Sequence, residues 1–348
     1  MAAVLTVMGQ DVSAYVTDWG EVEDIKEVLL ASTQLFTGQV TLELSNFDGR
    51  FAPFRSNSLF YQKPYFQSNV TLYEDGELLF AGILKAVNVS KATRMATLTV
   101  ENIFTAPTNQ LATLVQAGVN PVVGALAVLT AGGLGSVTDT NSFLAAAAAS
   151  SAAGAVVDVD FASKNTSILS AVQKLCELAA VSVFIRNGLI TAQAVKPYQG
   201  NSAGLRFPLN EANVVDFGEL QEAYDNLTNV VNVAYGASLL VTVRDPDSIN
   251  RYQGYENEVK LSYAVGGAIS IPDLASATYF GGVYLQRSST LKYTFEINGA
   301  DELKGIRIGD RHPVTEAYYG LAAKAFEVIQ THRPINKKTI SLTLATLD

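Results

Sequence analysis

The chain has 348 residues, more than one ordinary hydrophobic core accommodates, and its 48% apolar against 16% charged content suits several packed units that hide surface against copies or partners. Its 33 acidic against 24 basic residues give a net charge of -9, which argues against the clustered cations of a nucleic-acid-binding surface. Cys176 is the one cysteine and His312 and His332 the two histidines, so neither an intrachain disulfide nor a cysteine-rich zinc site can form, and no metal or cofactor is expected.

The opening MAAVLTVMGQDVSAYV lacks a basic start and a long apolar run, so no secretory signal is expected there, and no segment reaches the roughly 18 charge-free apolar residues of a membrane span. Asn69, Asn88, Asn165 and Asn226 open formal N-x-[ST] patterns, which without secretion are chance matches. QVTLELS alternates strictly, with Val40, Leu42 and Leu44 on one face of a half-buried strand. In NVTLYEDGELLFAGIL the pair Asp75-Gly76 divides two apolar runs, which predicts a hairpin on a type I′ turn. RMATLTVENIF adds a further strand, so residues 1–105 are expected to form a small all-β unit.

Composition then shifts. NPVVGALAVLTAGGLGS predicts a short helix opened by Pro121 and closed by Gly132 and Gly133, and the alanine-rich FLAAAAASSAAGAVV a helix followed by a strand. In KNTSILSAVQKLCELAAV, Ile168, Val172, Leu175 and Leu178 recur at helical spacing behind Asn165, Thr166 and Ser167, any of which could cap. A hairpin on Asn187-Gly188 follows, and residues 106–206 are expected to form a mixed α/β module. From 207 to 348 the pattern returns to β in NVVNVAY, LLVTV, LKYTFEI and KTISLTLATL, interrupted by one helix from Asp273 to Arg287.

Candidate chemistry concentrates in VRDPDSINRYQGY. Asp245, Asp247 and Ser248 fail as a calcium loop, because Ile249 takes the fifth position and Asn250 the sixth, where a ligand and a glycine are needed. Ser248 has no G-x-S-x-G elbow, and His312 beside Pro313 is expected in a turn. The reading preferred here is structural: Asp245, Pro246, Asp247 and Ser248 close a tight turn after a strand, with the Asp247 carboxylate accepting backbone amides. Asp158 and Asp160 in VVDVDF share a strand face at the spacing of a solvated edge, GGLGS lacks the lysine and preceding strand of a phosphate loop, and Trp19 suits a core or an interface. No catalytic residue is expected, and the chain is not expected to be an enzyme.

The succession of these motifs resembles the baseplate hub or tail-tip hub proteins of tailed phages. NVVNVAYG…VRDPDSINRYQGY is similar to that family's strand, D-x-x-S-I and tyrosine-glycine signature, with Gln253 separating Tyr252 from Gly254 as a departure. LSNFDGRFAPF…YQKPYFQSNVTLYEDGELLFAGIL resembles its N-terminal barrel, TSILSAVQKLCELAAVSVFIRNGLITAQAV its helix-plus-hairpin module, and GIRIGDRHPVT…AFEVIQTHRPINKKTISLTLATL its closing strands.

The resemblance implies a mainly β fold with an α+β insert: two tail-tube-like antiparallel β-barrels flanking a mixed helix-plus-hairpin module. It implies a homotrimer that adapts a hexameric tail tube to a central spike or fibre. The partners would be the tail tube protein, the distal tail protein and that spike or fibre. DNA would pass through the lumen without sequence-specific binding, and the protein would sit in the virion tail after assembly in the host cytoplasm. The competing expectations are a hexameric distal tail protein, which needs one barrel per chain, and a glycan-binding or glycan-cleaving β-protein using Trp19, tyrosines and the Asp158–Asp160 pair.

Overall fold

The computed structural model describes residues 3–25, 39–63, 68–102, 110–186, 188–194, 205–223, 227–263, 266–335, 337 and 339–346. Asn187 and Asn226, singled out above, lie outside them. The fold is mainly β, with 45% strand against 22% helix, built on two curled antiparallel sheets and a helical middle.

The first sheet takes seven strands in the order Gln10–Asp11, Ala3–Val7, Asn69–Glu74, Glu77–Ser90, Met95–Asn102, Gln39–Ser45 and Val16–Asp18. A single 3-10 turn, Ser13–Tyr15, connects the two outermost strands, so the sheet has curled until its edges lie almost against each other. Val40, Leu42 and Leu44 point into its core as the alternation predicts. Asp75 and Gly76 both take positive φ (54° and 85°), the conformation a type I′ turn demands. Phe51 and Phe60, from the long loop after Gln39–Ser45, are wholly buried in the same core.

The second sheet runs Val214–Phe217, Lys292–Ala300, Thr339–Thr346, Leu321–Pro334 and Arg311–Glu316, with Gln221–Ala223 added beside Lys292–Ala300. It curls in the same way. The amides of Arg206 and Leu209 donate to the carbonyls of Arg311 (2.8 Å) and Pro313 (2.9 Å), and a few residues later Val214–Phe217 pairs with Lys292–Ala300, so one short segment spans both edges. Ile340, Leu342 and Leu344 line its core. His312, expected in a turn, instead lies in the strand Arg311–Glu316 and is fully buried; Pro313 is tolerated because this is the outermost strand of the path.

The two sheets share chain. Strand Glu21–Ile25, which follows the first strands of the N-terminal sheet, pairs antiparallel with residues 330–334 of the C-terminal one. In return Ile335, one residue beyond that strand, is buried among the side chains of the N-terminal core.

Between the sheets lie helices α1 (Pro121–Ala131), α2 (Thr140–Ala152) and α3 (Ile168–Leu178), the hairpin Val181–Arg186/Leu189–Ala194 and a three-stranded sheet of Val115–Val119, Val157–Asp160 and Ile269–Ser270. Asn120 caps α1, accepting from the amides of Val122 (3.0 Å) and Val123 (3.3 Å), with Pro121 at the first helical position. Of the three candidate caps of α3, Ser167 is the one used, accepting from Ser170 at 3.2 Å. Cys176 is buried inside α3, and burial pushes its thiol well above the ordinary range, which leaves it inert.

A further sheet orders Leu239–Arg244, Val230–Tyr235 and Glu258–Ser262, the last pair parallel, with α4 (Pro246–Arg251) in the connection and α5 (Leu274–Ser288) packed on it. The sequence places all of 207–348 in one C-terminal unit. Within it, Val231, Val233, Ile269, Ala277, Phe280 and Leu285 share a hydrophobic core with α1–α3, so the chain leaves the second sheet at about residue 227 and returns to it after α5.

Candidate functional site

The stretch that carries the sequence signature forms a polar latch where three elements meet: the start of strand Val230–Tyr235, helix α4 and the C-terminal end of α5. Alternation carries the chain along Leu239–Arg244, and Asp245 then stops it. Asp245 is the N-cap of α4, its Oδ1 accepting the Ser248 amide at 3.0 Å, and Pro246 follows at the first helical position. The four residues expected to form a turn are therefore a cap and the first turn of a helix. The accepting carboxylate is that of Asp245 rather than Asp247, whose side chain is exposed in that first turn.

Ser248 is buried, and its hydroxyl donates to the carbonyl of Ser289, just past α5, at 2.6 Å. That spends the hydroxyl on the backbone and removes it as a nucleophile. Asn229, fully buried, joins the remaining strands of the latch. Its Nδ2 donates to the Tyr255 carbonyl at 2.7 Å, its Oδ1 accepts the Asn257 amide at 2.9 Å, and its carbonyl accepts the Asp245 amide at 2.9 Å. Asn257 in turn donates to the carbonyl of Leu227 at 2.6 Å. Burial opposes the charge of Asp245. The Ser289 hydroxyl, the amides of Ser248 and Asp247 and the charge of Arg251 outweigh it and hold the carboxyl below its ordinary range.

Helix α4 ends in a Schellman motif: the Gly254 amide donates to the Ile249 carbonyl at 2.8 Å and the Gln253 amide to that of Asn250 at 3.2 Å. Gln253 occupies the left-handed position, φ 59°, where glycine is favoured. Gln253, which separates Tyr252 from Gly254, is thus the strained residue of the cap. The Tyr252 hydroxyl then accepts the Leu291 amide at 3.0 Å, a second tie to the segment after α5. The arrangement places no base beside a nucleophile; what it does is hold the end of α5 against the strand start.

The other candidates do not converge on it. Asp158 accepts the Gly118 amide at 2.8 Å, and Asp160 accepts the Ser163 amide at 3.0 Å. The Ser163 hydroxyl and amide hold the Asp160 carboxyl below its usual range, the reverse of what a glycosidase general acid requires. In GGLGS, Gly132 and Gly133 terminate α1, and Gly135 opens a 3-10 turn. Trp19 is partly buried against the N-terminal core. Among the described residues no three His, Cys, Asp or Glu side chains cluster to hold a metal, and no helix is long and apolar enough to cross a membrane.

One cluster has no signature in the sequence. Buried Asp310 pairs with Arg186 at 2.9 Å and Arg206 at 3.1 Å and accepts the Arg307 amide at 2.8 Å, while Arg307 pairs with Glu77 of the N-terminal sheet. Glu77, Arg186, Arg206 and Arg307 line an open cleft of about 360 Å³ where the middle hairpin and both curled sheets meet. Partners 124 and 230 residues apart leave no local spacing to read.

No protein-family model matches the chain, and no curated protein matches its sequence. The fold does match solved structures over its whole length. A tail protein from Neisseria meningitidis MC58 superposes with a TM-score of 0.59 at 12% identity, covering 99% of this chain and 96% of its own. The 43 kDa tail protein of prophage MuSo2 from Shewanella oneidensis gives 0.58 at 12% identity, covering 100% and 97%. A prophage tail protein from Listeria monocytogenes EGD-e gives 0.58 at 10% identity, covering 99% and 94%. The chain therefore has the fold of phage and prophage tail proteins from end to end.

Proposed function

We propose that the chain is a structural hub of a phage or phage-derived tail, at the baseplate or tail tip. It acts as a trimeric symmetry adaptor between the hexameric tail tube and a central spike or fibre. The observation that carries this reading is the pair of curled seven-stranded sheets in one chain. A sixfold tube ends in six β-barrel positions, and a chain with two such sheets fills them with three copies, whereas a chain with one would need six. End-to-end likeness to tail proteins supports the tail setting.

On this reading the neighbours are the tail tube protein, the distal tail protein and the spike or fibre, DNA passes through the lumen, and the protein resides in the virion tail. The latch around Ser248 is then scaffolding that fixes α5 to strand Val230–Tyr235 within the middle module and, through Tyr252, holds the segment that re-enters the C-terminal sheet, and the chain is not an enzyme. The three-part boundary at about 105 and 206 is proposed with the excursion of 227–289 assigned to the middle module. A structure of the assembled tail, supported by native mass of the purified protein, tests this. Threefold copies with both sheets around one axis are expected, and a sixfold ring with one sheet per chain at the axis would overturn it in favour of a distal tail protein.

A further inference from the structure

Two surface features of opposite charge stand out, one on each curled sheet. The first is the loop 46–63, after strand Gln39–Ser45. It is cross-tied by hydrogen bonds: Asn46 accepts the Phe51 amide at 2.8 Å, the Asp48 carbonyl accepts the Asn57 side chain at 2.8 Å, and the Leu59 amide donates to the Arg50 carbonyl at 2.8 Å. Phe51 and Phe60 anchor it in the core, yet Phe54 is 96% exposed at its tip and Phe47 is 67% exposed beneath Arg94. A phenylalanine held in solvent by an ordered loop forfeits burial that a partner would restore. The loop carries Arg50, Arg55 and Lys63 against one acid, Asp48, in a chain of net charge -9.

The second feature is the segment 211–222 at the edge of the C-terminal sheet, where Val214–Phe217 and Gln221–Ala223 are joined and preceded by loops with exposed residues. It carries Glu211, Asp216, Glu219 and Glu222 with no base, and Val215 on its strand is 75% exposed. Beside it, the Tyr319 hydroxyl donates to the Gly218 carbonyl at 2.8 Å, which places Tyr318, 88% exposed, next to this acidic stretch. One face is aromatic and basic, the other apolar and acidic, and they lie on different sheets of the chain.

We propose that the Phe54 loop of one copy docks on the Val215–Tyr318 face of the next copy, so that chains associate head to tail. Different patches on each partner make the contact heterologous, and a heterologous contact closes a ring when its rotation permits. The inference rests on the hub reading and deepens it, because it alternates N-terminal and C-terminal sheets around the ring.

The test uses the full chain. Phe54→Ser removes the knob and Asp216→Lys with Glu219→Lys inverts the face; all three side chains are exposed, so each variant should keep the parent's circular dichroism spectrum and unfold cooperatively. Sedimentation velocity of the parent should show a closed oligomer whose association weakens more than tenfold when salt is raised to about 0.5 M, and each variant alone should be monomeric. Mixed in equal amounts, the two variants retain one intact knob and one intact face between them and should stop at a 1:1 dimer. Variants that assemble like the parent overturn the proposal while leaving a threefold particle intact. A parent that stays monomeric up to about 1 mM, where association would be worth less than about 4 kcal/mol, overturns it too, whereas a tail structure without threefold copies overturns the hub reading itself.

Discussion

The hydroxyl of Ser248 donates to the carbonyl of Ser289 across 41 residues of sequence, joining the first turn of α4 to the end of α5 inside a buried polar latch. Removing that donor leaves a buried carbonyl unsatisfied. Ser248→Ala is therefore expected to cost about 1–3 kcal/mol, read as a lowered denaturant midpoint at constant slope. Asp245→Ala should cost about 1 kcal/mol through loss of the cap. Asp247→Ala should stay within about 0.5 kcal/mol, the range of surface changes that break no cap or buried bond. Equal losses at Asp245 and Asp247 would show that the cap is misassigned.

Gln253 supplies the opposite sign. Its φ of 59° closes the Schellman motif with a side chain where glycine is favoured. Gln253→Gly removes a Cβ penalty of about 1 kcal/mol, and the following Gly254 already provides the second left-handed residue. A higher melting temperature is expected, and an unchanged or lower one would mean that the glutamine side chain makes up for its backbone.

Burial of His312 is expected to make the fold sensitive to mild acid. Burial is the main cause of its lowered pKa; the hydrogen bond to the Phe207 carbonyl (2.9 Å) and the charge of Asp310 oppose this, and Arg206 adds to it. A histidine whose folded pKa lies below its unfolded value of about 6.5 contributes stability that is fully present above that value. As pH falls the unfolded chain takes up the proton first, so this stability is lost between about pH 6.5 and the lower folded pKa. Melting temperature at pH 5.5 should fall below that at pH 7.5, and His312→Gln should flatten the difference. A variant with the same pH slope as the parent would assign the loss to other groups.

The elements were legible where periodicity or turn chemistry is local. Val40, Leu42 and Leu44, the Asp75-Gly76 turn, Pro121 at the start of α1 and the Asp273 cap of α5, which accepts the Ser276 amide at 2.7 Å, all follow from residues within a few positions of one another. His312 was misplaced because a proline reads as a turn, whereas an outermost strand accommodates it. The latch was half legible: aspartate, proline and serine mark a stop, but nothing local says that Ser248 reaches Ser289 or that Asn229 reaches Asn257. The Arg186–Asp310 pair and the strand Glu21–Ile25 on the C-terminal sheet were not legible at all, since pairing between segments so far apart in sequence leaves no period in the chain.

That exchanged strand couples the two sheets. Ile335 extends from a C-terminal strand yet fills the N-terminal core, 3% exposed. Ile335→Ala should cost about 2–5 kcal/mol. Because residues 21–25 and 330–334 are paired across the junction, amide exchange should rise together in Gln39–Ser45 and Thr339–Thr346. Faster exchange confined to the N-terminal strands would show that the sheets open independently.

Charge and symmetry combine in the last expectation. DNA that traverses a protein channel is retarded by cations on the wall, because each lysine or arginine meeting a phosphate releases counterions and binds. A wall with excess carboxylates repels the duplex and keeps it moving. The chain carries 33 acids against 24 bases. Arg186 and Arg206 share the single carboxylate of Asp310, and Arg307 pairs with Glu77, so three of the bases are drawn into junctions between parts of the chain against two acids. In the assembled tail the wall formed by the curled sheets should therefore be net negative, with threefold copies around it. An electron cryo-microscopy reconstruction reads both at once, and a lumen lined mainly by lysine and arginine would remove DNA passage from the proposed function.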